Sequence, residues 1–73
     1  MLQPLTAKEL EYIADSMSNE DLLMKQCAAF VSTSSNQALK QLHTQMIHTH
    51  QQHYQTLMSS IQQHQSIAPT QPQ

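Results

Sequence analysis

Apolar residues recur along this chain at helical rather than strand spacing. At about 100° per residue, Leu10, Ile13, Ala14, Met17, Met24, Ala28 and Val31 share one face of a first segment. Leu39, Leu42, Met46, Ile47, Tyr54, Leu57, Met58 and Ile61 share one face of a second. No stretch alternates apolar and polar residues as a half-buried strand requires. The chain contains no glycine, and its prolines stand only at 4, 69 and 72, so no strong breaker lies between Leu5 and Ala68. The pattern predicts an all-α protein.

Local chemistry marks the ends of the two helices. Thr6-Ala7-Lys8-Glu9 has the form of a capping box, in which hydroxyl and carboxylate satisfy backbone amides reciprocally. Ser32-Thr33-Ser34-Ser35-Asn36 is a run whose side chains compete for backbone hydrogen bonds and favour turns and caps. Helix one is therefore expected over about 6–33 and helix two over about 36–65, a single domain over 1–66, with 67–73 a flexible tail. Ser18-Asn19-Glu20-Asp21 offers a second cap that would break helix one near Ser18. Two long helices joined by a short loop lie antiparallel, as an αα-hairpin.

Leu23, Cys27 and Phe30 form a second apolar strip on helix one, away from the first on the helical wheel. Two apolar faces call for two packing partners, and the chain has no third helix. A second copy is the expected occupant, with Leu23, Cys27 and Phe30 as the interface and a dimer of hairpins forming a four-helix bundle. Size points the same way: a chain of 73 residues with 38% apolar content has little core to close on its own. A homodimer or larger assembly is expected.

Charge removes several function classes. Three lysines, no arginine and a formal net charge of −2 leave no nucleic-acid footprint. No apolar run approaches a membrane span or a signal-peptide core, and a single cysteine excludes an internal disulfide. All five acids lie within the first 21 residues, and beyond Lys25 the only formally charged side chain is Lys40. Helix two is instead rich in glutamine and histidine. Its surface is polar but nearly neutral, with little charge repulsion to hold copies apart.

Candidate chemistry centres on the histidines at 43, 48, 50, 53 and 64, all on helix two. On the wheel His43, His50, His53 and His64 fall inside the apolar stripe, and His48 points elsewhere. Glu20 and Asp21 interrupt the stripe of helix one, where an apolar residue is due. If the turn centres near residue 35, positions summing to about 70 lie level, so Glu20 faces His50 and Cys27 faces His43. His53 lies one turn from His50, at the i, i+3 spacing that lets two rings reach one ion.

Glu20, His50 and His53 thus form a candidate transition-metal ligand set. The plainer reading is an acid–histidine hydrogen bond with no cofactor. The four-helix di-iron pattern fails, because it needs carboxylates on the helices that also supply histidine, and helix two has none. Cys27 beside His43 resembles a thiolate–imidazole pair but has no orienting third group and no oxyanion loop, so a packing thiol is the expectation. No enzyme activity is expected.

From Leu5 to about His64 the chain resembles the coat F family of bacterial spore coat proteins. Leu5-Thr6-Ala7-Lys8-Glu9-Leu10 is similar to the family's opening segment, and Asp15-Ser16-Met17-Ser18-Asn19-Glu20-Asp21 to the run preceding its long amphipathic helix. Ser34-Ser35-Asn36 followed by Leu39, and the pair Leu57-Met58, resemble its turn and the end of its second helix. Cys27 stands where the family tends to carry tyrosine. The resemblance implies a ferritin-like helical hairpin, synthesis in the cytoplasm, assembly into the spore coat with itself and with other coat proteins, and no catalysis. Two alternatives remain beside a structural coat protein: a metal-binding half-ferritin, and an adaptor hairpin docking on another helical protein through Leu23, Cys27 and Phe30.

Overall fold

The computed structural model describes residues 4–67, and they form two helices: α1, Ala7–Thr33, and α2, Gln37–Ile67. Each boundary has a hydrogen-bonding cause. At the start of α1 the Thr6 hydroxyl accepts from the Glu9 N–H at 3.0 Å, and the Thr6 N–H donates to Glu9 Oε1 at 2.9 Å. The predicted capping box is therefore formed in full. Its hydrogen bonds, the Thr6 backbone N–H first, hold the Glu9 carboxyl below its ordinary value.

The helix ends at Ser34, whose extended backbone leaves the helical region while its N–H still reaches the Phe30 carbonyl at 2.9 Å. Ser32 and Thr33 turn their hydroxyls back onto the Ala29 carbonyl, at 2.8 and 3.0 Å. Asn36 then caps α2, its side-chain oxygen accepting from the Leu39 N–H at 3.0 Å. The Ser34 hydroxyl accepts from the Asn36 N–H at 3.1 Å. Side-chain hydroxyl and amide groups thus serve both sides of the reversal. No residue among those described adopts positive φ, and the turn closes without glycine.

α1 runs unbroken through Ser18, so the alternative cap at Ser18–Asp21 is not used. Asp21 instead pairs with Lys25 one turn along, at 2.8 Å. That carboxylate, through its hydrogen bond and then its charge, raises the Lys25 pKa. α2 continues through Ile67, two residues past the expected end; the rest of the expected tail lies outside the described residues.

The helices pack on each other along their length. The partly or fully buried positions of α1 include Leu10, Ile13, Met17, Glu20, Met24, Cys27 and Val31, alternating steps of three and four. Those of α2 include His43, Ile47, His50, Tyr54, Leu57, Ile61 and His64, at the same steps. A sustained 3-4 alternation is the seam of a left-handed antiparallel coiled coil. It corrects the face predicted for α1. A straight helix drifts about 20° per heptad from this seam, so over the span from Leu10 to Cys27 a wheel at 100° slips round. Ala14 and Ala28, expected inside, are exposed, while Cys27, expected outside, is buried at 5% exposure.

Candidate functional site

Halfway along the hairpin the seam is polar. Glu20 and His50 hold positions where the heptad calls for apolar side chains, and their side chains are only 18% and 17% exposed. A carboxylate so placed is costly unless its oxygens find donors. Both do. His50 Nδ1 lies 2.5 Å from Glu20 Oε2, and His53 Nδ1 lies 3.2 Å from Glu20 Oε1. A neutral imidazole with its proton on Nδ1 already serves as donor, so one carboxylate is clamped by two rings.

The three side chains predicted from register thus converge. One donor atom from each of Glu20, His50 and His53 can be chosen so that all three lie within 4.8 Å of one another. The His50 and His53 rings meet edge to face, centroids 5.8 Å apart at 79°. His53 is the outer member, its side chain 54% exposed. It borders an open groove of about 350 Å³ lined by Ser16, Glu20, His53, Thr56 and Leu57. Sequence reasoning misses the groove-lining Ser16 and Thr56, whose signal is that each stands one residue before a seam position, Met17 and Leu57.

The remaining candidate groups take no part in the triad. Cys27 is buried in the seam, and His43 is committed elsewhere: its Nδ1 lies 2.8 Å from the Leu39 carbonyl, which it serves as donor. The His43 ring stacks on Phe30, centroids 4.0 Å apart and planes at 22°. These contacts give His43 a packing role. His64, at the open end, accepts the Leu5 N–H on Nδ1 at 2.8 Å. His48 is exposed.

The outward strip Leu23, Cys27, Phe30 is also revised. Cys27 faces the partner helix within the chain, Phe30 is half-buried over His43, and of the three only Leu23 stays exposed, at 38%. Leu23 and Phe30 follow Ser16 at heptad steps, and Leu42 and Leu39 precede Thr56 and His53 by two heptads. The four therefore lie on the flank onto which the polar groove opens. Leu39 and Leu42 are 40% and 48% exposed.

Among the described residues no helix is long and apolar enough to cross a membrane. No protein-family model, no curated protein and no solved structure matches the chain.

Proposed function

We propose that this chain is a structural, self-associating component of the bacterial spore coat, built into its assembly by helix packing. The observation that carries the self-association is the sparseness of its own core. Among the described residues only Met17 and Cys27 are buried, at 9% and 5% exposure. Fully burying an apolar side chain contributes about 1.5–3 kcal/mol, whereas fixing each residue's backbone costs about 1–2 kcal/mol. A two-helix layer has nothing to cover its second side. Leu22, Leu23, Leu39, Leu42 and Met58 all remain well exposed.

The occupant of that side is a second copy. Leu23, Leu39 and Leu42 lie on one flank, and beyond Lys25 the chain carries a single formal charge, so two such flanks meet with little repulsion. Two hairpins joined in this way make a four-helix bundle, the ferritin-like arrangement that the coat F resemblance implies. That resemblance also supplies the place of assembly and the expectation of other coat proteins as neighbours. An adaptor hairpin would leave the same flank free until a foreign helix arrives.

Two measurements test the reading. Sedimentation at micromolar concentration is expected to give a dimer or larger species, and a folded monomer would overturn self-association. A fluorescent fusion in a spore-forming bacterium is expected to ring the developing spore. Uniform fluorescence in the mother cell would overturn the coat assignment.

A further inference from the structure

We propose that Glu20, His50 and His53 bind one divalent transition-metal ion of the zinc class, held between α1 and α2 at the middle of the hairpin. The site is complete within one chain, so it does not depend on self-association. Sequence register offers these three side chains both as a ligand set and as a plain acid–histidine hydrogen bond. The structure adds the contact of His53 with the second oxygen of the same carboxylate, so that all three donors converge.

Donor spacing fits the ion. A four-coordinate zinc with bonds of about 2.0–2.2 Å keeps its ligand atoms roughly 3.3–3.6 Å apart. His53 Nδ1 and Glu20 Oε1 already stand 3.2 Å apart, and His50 Nδ1 needs to withdraw from its 2.5 Å contact with Oε2. Rings one helical turn apart and nearly perpendicular can aim two lone pairs at a common point. In the metal-free clamp each Nδ1 carries the proton that it donates. On binding, the proton of a neutral ring moves to Nε2 and the Nδ1 lone pair turns to the ion; a doubly protonated ring releases one proton to solvent.

Donor chemistry selects the ion. Two imidazoles and one carboxylate suit zinc and its first-row neighbours, whereas calcium and magnesium prefer all-oxygen shells. Three protein ligands leave a fourth position, and the groove beside the half-exposed His53 gives the ion its entry and a water its place. Ser16 and Thr56 line that groove and offer hydroxyls to such a water. Asp21 takes no part, because it is engaged by Lys25.

The test uses the full chain, stripped with a chelator and titrated with zinc while melting temperature and heat of binding are followed. Binding to the folded state raises the melting temperature progressively with free metal. The expected result is one zinc per chain, a response larger near pH 8 than near pH 5.5 because protons compete for the rings, and no response to calcium. His53→Ala, at the exposed rim, is expected to keep the fold and to weaken binding by at least about tenfold. Glu20→Gln keeps an amide oxygen for hydrogen bonding and is expected to weaken binding similarly. His48→Ala, exposed and outside the triad, is expected to bind as the parent does. A melting temperature indifferent to zinc would overturn the site, and so would a zinc response that survives both His53→Ala and Glu20→Gln.

Discussion

Phe30 stacks on His43 at 4.0 Å between ring centroids, and this contact ties the last turn of α1 to the second turn of α2. His43 is held from below as well, by the hydrogen bond to the Leu39 carbonyl. The pair therefore closes the turn end of the hairpin from within. Phe30→Asp should destabilise the folded chain by about 1–3 kcal/mol, from lost apolar burial and lost stacking. Urea unfolding followed by circular dichroism measures it. Phe30→Leu, which keeps apolar area without the ring face, should lose the smaller part. An unchanged midpoint in Phe30→Asp would place the side chain in an intermolecular contact instead.

The self-association test therefore belongs at Leu23 and Leu42, which are exposed and make no part of the seam. Leu23→Glu combined with Leu42→Glu should shift the sedimenting species to monomer while helical circular dichroism at high protein concentration stays near the parent's. Like charges brought together on one flank oppose docking, and exposed helix positions tolerate glutamate well. If the double variant sediments as the parent does, the copies meet on another face.

Why the polar layer was legible in the sequence, while the side of the hairpin facing outward was not, has a physical explanation. A three-residue turn built from Ser34, Ser35 and Asn36 fixes which positions lie level. Glu20 meets His50 because 20 and 50 are equidistant from that turn, and no knowledge of packing is needed. The caps at Thr6 and Asn36 were legible because they are local hydrogen-bond exchanges. Cys27 was misplaced because supercoiling is a property of the pair of helices. A single-helix wheel cannot contain the slow rotation that carries the seam from Ala28 to Cys27. His53 marks the limit in another way: its i, i+3 spacing from His50 was visible, but its reach to the second oxygen of Glu20 is a matter of side-chain conformation.

The buried thiol gives a measure of hairpin opening. Cys27, at 5% exposure, is shielded by the opposite helix, so a thiol-specific reagent reaches it only when the seam parts. Labelling of the native chain should be slow, should quicken in Phe30→Asp, and should approach the rate of a free peptide thiol in denaturant. Immediate labelling of the native chain would contradict burial in the seam.

Leu5 is held by a contact that closes the open end of the hairpin. The Leu5 N–H donates to His64 Nδ1 at 2.8 Å, fastening the residue before the Thr6 cap to the far end of α2. His64→Ala, at the last position of the seam, should leave the central turns packed and free the Leu5 amide. Hydrogen exchange at Leu5 should then rise toward the unprotected rate while amides of the central turns of α1 keep their protection. Leu5 exchange that is equally fast in the parent and the variant would remove the clasp.

The capping box gives the chain a pH dependence whose sign follows from Glu9. Its carboxyl is held below the ordinary value by the Thr6 backbone N–H and then by the Thr6 hydroxyl. The group is therefore more acidic folded than unfolded. Its contribution is fully present above the ordinary carboxyl value of 4.5 and is lost as pH falls through the folded value. Glu9→Gln retains a side-chain oxygen for the Thr6 N–H but cannot titrate. The melting temperature of the parent should exceed that of Glu9→Gln at about pH 6, and the gap should close toward about pH 3. Because this glutamate is fully exposed, the gap should be small and should shrink further in high salt, which screens the charge-assisted part of the bond. A gap that stays constant with pH would mean that the charge of Glu9 does nothing for the cap, and that Thr6 alone holds the start of α1.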